Sequence, residues 1–222
     1  MDDLKLRSDY GKAALMLSAD WSKNSMDALF LHAVSRDATG DKQDPESDFF
    51  LLAGALFKTE RIKVIVINGS KGERYGKNIP GESWEGAISW QKKLESVGIP
   101  ASAIIHSKGA YNTKEENINF LAVAQKNNWK TAAVLTVNYH FPRVFMGYIQ
   151  TMKETGYWML LYAFSLRGVN WFAPMTGSQG ISKTSAYDLI EDELAPSRFP
   201  VYTKKGDLCS FEELFDYLRT RK

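Results

Sequence analysis

The chain has 222 residues, and 28 Lys and Arg against 26 Asp and Glu leave it a formal net charge of +2. With 44% hydrophobic and 24% charged residues it has a globular make-up, which excludes wholesale disorder and fibrous repeats, and so small a charge argues against a nucleic-acid binder. The one cysteine, Cys209, excludes an intrachain disulfide and a cysteine-cluster metal site.

A chain of this length buries about 70% of its unfolded surface, enough for a core without staples. The longest uncharged apolar run near the start, Ala13–Ala19, is too short for a secretory leader. No run approaches the roughly 18–20 apolar residues of a membrane span. A soluble cytoplasmic protein is the expectation.

In chain order, Ala13–Ser18 is a buried-strand candidate. Asn24 is placed to cap a helix through Arg36, with Met26, Leu29, Phe30 and Ala33 at helical spacing. Ala38–Ser47, with Gly40 and Pro45, reads as a loop, and Phe49–Phe57 as a helix capped by Ser47 or Asp48. Val64–Ile67 is the clearest strand: four β-branched residues in a row suit a strand covered on both faces. A loop to Gly81 precedes a helix over Glu82–Val97, stopped by Gly98 and Pro100.

Ala103–Ile105 is then a strand, Thr113–Asn127 a helix and Ala132–Val137 a strand. A helix begins near Pro142 and runs to about Thr155, followed by a strand over Tyr157–Phe164. Gly168–Lys183 reads as loop, and Ser185–Leu194 and Phe211–Thr220 as helices. Strands alternating with helices predict an α/β fold: a three-layer, Rossmann-like sandwich with a mostly parallel sheet of about five strands. No linker interrupts the chain, so residues 1–222 are taken as a single α/β domain.

Ligands of open parallel sheets bind outside the carboxyl ends of the strands. That rule selects the loops after Asn68, His106 and Thr136, and the segment after Ser18. Asn68-Gly69-Ser70-Lys71-Gly72 offers close backbone approach, and Lys71, Arg74 and Lys77 make this loop basic, yet it is neither a Walker A motif nor Gly-x-Gly-x-x-Gly. Asn112-Thr113-Lys114-Glu115-Glu116 fits a capping box between Thr113 and Glu116, and the same helix start is an anion site. Thr136-Val137-Asn138-Tyr139-His140-Phe141-Pro142-Arg143 is the most informative stretch: His140 transfers protons near neutral pH and Arg143 offers a planar fork to phosphate or carboxylate. His32 and His106 are read as structural. No His-Glu-x-x-His or Gly-x-Ser-x-Gly is present, and three scattered histidines do not suggest a zinc centre, so no metal is predicted.

These residues resemble the YdcF-like bacterial domain family, with its SanA and ElyC relatives. Val64–Gly69 resembles the family's strand and glycine turn, Val97-Gly98-Ile99-Pro100 its Gly-Val-Pro turn, Asn112–Glu116 its Asn-Thr-x-Glu-Asn segment, and Thr136, Tyr139, His140, Pro142 and Arg143 its Thr-x-x-x-His-x-x-Arg element. The resemblance covers about residues 13–155 and leaves 156–222 as a C-terminal extension. Ser107 or Lys108 stands where an acidic residue is common, and Glu116 where asparagine is common. The family's acidic residue after the glycine turn corresponds to Glu82 or Glu85. The resemblance implies a Rossmann-like fold and a pocket for a nucleotide-like molecule, S-adenosylmethionine among the candidates.

Three functions follow. The first is a small-molecule binding protein, with Asn68, Gly69, Ser70, Asn112, Thr113, Glu116, Thr136, Asn138, His140 and Arg143 around the ligand and Glu82 or Glu85 on its ribose or cationic end. The second is a hydrolase or transferase acting on a phosphorylated or sugar-nucleotide substrate, with His140 as general acid or base, Arg143 as clamp and Glu115 or Glu116 as second proton carrier. The third is an interaction protein, using the aromatic tail with Tyr157, Trp158, Trp171, Phe172 and Tyr187 as a partner or homodimer surface.

Overall fold

The computed structural model describes residues 3–20, 24–33, 48–72, 84–166, 171–172, 174–176 and 183–221. The loop expected over Ala38–Ser47, together with Arg74, Lys77, Gly81 and Glu82, lies outside them. The chain opens on helix α1 (Asp3–Ser18), then strand β1 (Met26–Leu31), α2 (Phe49–Lys58), β2 (Ile62–Ile67), α3 (Ala87–Ser96), β3 (Ile104–His106) and α4 (Thr113–Lys126). It continues through β4 (Thr131–Leu135), α5 (Phe141–Thr155) and β5 (Leu160–Phe164). A short antiparallel pair, β6 (Pro174–Thr176) and β7 (Lys183–Ser185), precedes α6 (Ala186–Leu194), α7 (Phe199–Lys204) and α8 (Phe211–Thr220).

The main sheet has five strands, all parallel, in the order β3-β2-β1-β4-β5. The parallel crossovers put α2 and α3 on one face, where Phe49, Leu56, Trp90 and Leu94 pack on Leu29, Leu31 and Ile65. On the other face α1, α4, α5 and α8 bring Leu17, Phe120, Phe145 and Leu214 onto Phe30, Val66 and Val134. The result is the three-layer Rossmann-like sandwich expected. Among the described residues, no helix is long and apolar enough to cross a membrane.

Two expectations are corrected. Ala13–Ser18 is the end of α1, not a strand: Tyr10, Ala13, Ala14 and Leu17 are its buried residues, a helical stripe at i, i+3, i+4 and i+7. Conversely, Met26–Leu31 is β1, not a helix. As the central strand it is covered on both sides, so its apolar run hides the period of two, and the helical spacing of Met26, Leu29, Phe30 and Ala33 is coincidental. Smaller differences concern boundaries. Helix α3 starts at Ala87, after Gly86 at φ 84°, rather than at Glu82, and β5 starts at Leu160 rather than Tyr157. Asp48 caps α2, its carboxylate accepting from Phe50 N and Leu51 N.

Candidate functional site at the carboxyl edge of the sheet

Strand order reverses between β1 and β4: the chain steps outward from β1 to β2 and β3, then returns through α4 to β4 and β5. The carboxyl ends of β1 and β4 therefore flank the switch point, where open α/β sheets bind ligands. The next residues are His32 and Thr136. His32 N donates to Leu135 O at 3.0 Å, so the ladder continues past Leu31 and sets the two side by side on the α4–α5 face. Both are buried, and Thr136 Oγ1 and His32 Nε2 have no hydrogen-bond partner among the described residues.

Helix α4 covers this point with Glu116. One carboxylate oxygen lies 3.0 Å from His32 Nδ1; the other accepts from Ala33 N at 2.9 Å and Asn68 Nδ2 at 3.3 Å. Asn68, one residue past β2, also donates to Ala110 O and accepts from Ala110 N and Ser70 N, each at 3.0 Å. The pair thus ties together the ends of β1, β2 and β3. Helices α4 and α5 approach closely because Gly147 leaves room for Asn117, whose Nδ2 would stand 2.6 Å from a Cβ there and donates to Val144 O at 3.2 Å.

A second group sits where β4 turns into α5. Residues Asn138–His140 form one 3-10 turn, and α5 follows with Pro142 in its first turn, where a missing N–H costs nothing. One turn on, Arg143 comes beside His140. Both meet Glu193 of α6, which is fully buried. Arg143 Nε donates to Glu193 Oε2 at 2.5 Å, and its Nη2 lies 3.3 Å from Oε1 and 3.1 Å from His140 Nδ1. Arg143 Nη1 donates to Thr113 Oγ1 at 3.1 Å. His140 Nδ1 lies 3.2 Å from Glu193 Oε1, and Nε2 lies 3.4 Å from Thr113 Oγ1.

Two groups compete for His140 Nδ1: Glu193 Oε1, which can only accept, and Arg143 Nη2, which can only donate. The tautomer assigned from the carboxylate carries its proton on Nδ1 and leaves Nε2 as the acceptor, with the guanidinium then held by Glu193 and Thr113. Burial, and next the Arg143 charge, lower the imidazole to about 4 against the raising pull of Glu193, so the ring is neutral at pH 7. Burial works against the ionised Glu193, but Arg143 and His140 outweigh it and hold the carboxyl well below the usual carboxylate range.

The remaining candidates fall into place around these groups. Thr113 is the first residue of α4, and the cap is Asn112, which accepts from Glu115 N at 2.9 Å. The expected Thr113–Glu116 capping box is therefore not formed: the cap lies one residue earlier, and Glu116 turns to His32, Ala33 and Asn68 instead. Glu115 accepts from Tyr111 N at 2.7 Å, within the cap and not in the His140 group. Gly69 makes a close approach to the Ser107 carbonyl: a Cβ there would stand 2.0 Å from that oxygen. Ser70 Oγ accepts from Trp84 Nε1 at 2.6 Å, and Glu85 pairs with Lys93 on α3. Asn138 is buried in the turn before α5.

Sequence reasoning missed Glu193, and it read His32, which lies buried against Glu116 just past β1, as structural. Nothing near Glu193 in the sequence marks it, since its partners lie 50 and 53 residues away. His32 was visible only to a reading that ended a strand at Leu31. The segment after Ser18 follows a helix, so it is not a strand-end loop. Cys209 is buried, which pushes its thiol up to about 12. Among the described residues, no group of three or more His, Cys, Asp or Glu is placed to hold a metal ion. A cavity of about 590 Å³ lies at the other, amino-terminal edge, between α5, α8 and the start of β5, with Ile149, Trp158 and Tyr217 in its walls. It shares no residue with the groups above. Comparison of the chain with family models, curated proteins and solved structures returns no match.

Proposed function

We propose that the switch point at the carboxyl ends of β1 and β4 binds a small nucleotide-like molecule, with S-adenosylmethionine the first candidate. The observation that carries this reading is the pair of buried, unpartnered polar atoms on adjacent strand ends, Thr136 Oγ1 and His32 Nε2. Leaving a polar atom buried and unpaired costs about 1–3 kcal/mol, a cost a ligand's polar group removes on binding. The start of α4, where the N–H groups of Thr113 and Lys114 have no acceptor among the described residues, suits an anionic end such as a carboxylate or phosphate. Arg143, expected as the clamp, is engaged by Glu193, so that duty passes to the helix start. The resemblance of residues 13–155 to the YdcF-like family supports S-adenosylmethionine in particular.

Calorimetric titration with S-adenosylmethionine, ATP and a sugar nucleotide tests the reading. Saturable binding by one of them is expected, weakened about tenfold in Thr136→Val, which stays at least as stable as the parent because an unpaired hydroxyl has gone. No saturable heat at millimolar ligand, or equal affinity in the variant, overturns it.

The line from Glu193 through His140 to Thr113 favours a second reading, a hydrolase or transferase with His140 as general base. A fall in turnover in His140→Ala supports it, and unchanged turnover overturns it.

A further inference from the structure

The geometry points to Thr113 as a covalent nucleophile for acyl transfer, an ester or thioester being the substrate class; this rests on the reading of His140 as general base and adds to it. Three features carry the inference. The first is order: carboxylate, imidazole and hydroxyl stand in line, Glu193 Oε1 at 3.2 Å from Nδ1 and Thr113 Oγ1 at 3.4 Å from Nε2. That is the arrangement by which an acid orients a histidine and the histidine takes the proton of a hydroxyl, whatever the fold or chain order.

The second is exposure. Glu193 is 0% exposed, His140 5% and Arg143 9%, whereas Thr113 is only half-buried. Thr113 is the least buried residue of the line, and so the end on which a substrate would approach.

The third is where Thr113 sits. It opens α4, and the N–H groups of Glu115 and Glu116 are taken by Asn112, at 2.9 and 3.0 Å. Those of Thr113 and Lys114 belong to the first turn, which has no acceptor within the helix. An N–H from the residue after the nucleophile, at a helix start, is a known source of oxyanion stabilisation.

These features also choose the substrate. Phosphoryl transfer needs cations over three charged oxygens. Here Arg143 is bound to Glu193, and Lys114 to Asp207 at 2.6 Å. One oxyanion, formed on a carbonyl, asks only for the N–H groups at hand.

In the first step Thr113 Oγ1 attacks the carbonyl carbon while its proton passes to His140 Nε2. The tetrahedral intermediate collapses, the bond to the alcohol or thiol breaks, and that leaving group takes the proton from Nε2. Water then attacks the threonyl ester, again giving its proton to Nε2; the acid departs and the threonine oxygen recovers the proton.

The test uses p-nitrophenyl acetate and a fluorophosphonate probe on the full chain, with mass spectrometry of the peptide carrying Thr113. An adduct on Thr113 is expected, with p-nitrophenol release falling roughly 10²-fold or more in Thr113→Ala and in His140→Ala and largely kept in Thr113→Ser. Thermal melting of each variant separates lost chemistry from lost fold, and a half-buried Thr113 tolerates both changes. No adduct on Thr113, or full turnover in Thr113→Ala, overturns the nucleophile. If His140→Ala alone loses turnover, the nucleophile falls while His140 as base acting on water stands. If neither variant loses turnover, both fall together.

Discussion

His140 stays neutral at pH 7 although a carboxylate touches its ring, because burial and the Arg143 guanidinium outweigh that carboxylate. Its environment comprises Glu193 and Arg143 beside the ring, Thr113 at Nε2 and His32 near enough to oppose its charging. The consequence is a pH dependence of stability. The imidazole titrates near 4 when folded and near 6.5 when unfolded. Between those values the unfolded chain binds the extra proton, so this contribution is complete above about pH 6.5 and is lost as pH falls toward 4. Glu193, held below its ordinary 4.5, adds stability above that value that disappears further into acid. Urea unfolding at a series of pH values is expected to show stability falling by up to about 1.4 kcal/mol per unit below pH 6.5. His140→Asn should flatten the upper part of that slope; an unaltered slope contradicts the account.

At the level of elements, two glycines respond oppositely to one methyl group. Gly69, two residues past β2, lies against the Ser107 carbonyl, and an added Cβ would lie 2.0 Å from it. Gly69→Ala is expected to destabilise by about 3 kcal/mol, as overpacking against a backbone does. Gly11, inside α1, has nothing within 4 Å of an added Cβ. Gly11→Ala is expected to stabilise by about 0.5–1 kcal/mol through helix propensity. Urea midpoints of the two variants check both signs. Elements bounded by local chemistry were legible: the Ser47 or Asp48 cap before α2, of which Asp48 is the one used, and Pro142 in the first turn of α5. The helices α6 and α8 were legible too, but their caps, Ser185 and Ser210, were not named from the sequence. Strand β1 and helix α1 were exchanged because a short run that is apolar throughout fits both periods, and only the length of the buried stripe tells them apart.

In the molecule as a whole, the extension beyond residue 155 is packed into what residues 1–155 build. Helix α6 supplies Glu193 to the His140 group, and α8 closes the core over α1 and α5. Phe211 stacks on Phe199 with ring centroids 5.5 Å apart, and Leu214 is fully buried. Leu214→Ala is therefore expected to cost about 2–5 kcal/mol, read as a lowered thermal midpoint, far more than a truncation on an appended tail would. A loss under roughly 0.5 kcal/mol would show the helix to be dispensable.

The sequence by itself determined the fold class, the alternation of strands and helices from Phe49 to Phe164, and the three strand ends whose polar residues were worth attention. Those follow from apolar period, caps and breakers, all of which are local. Only the tertiary structure decided which polar groups meet. The strand order that makes β1 and β4 neighbours brings His32 beside Thr136, and the return of α6 sets Glu193 under His140 and Arg143. Pairing across such separations depends on how helices cross the sheet and on the enforced partnering of buried charge, and neither leaves a mark at neighbouring positions in the chain.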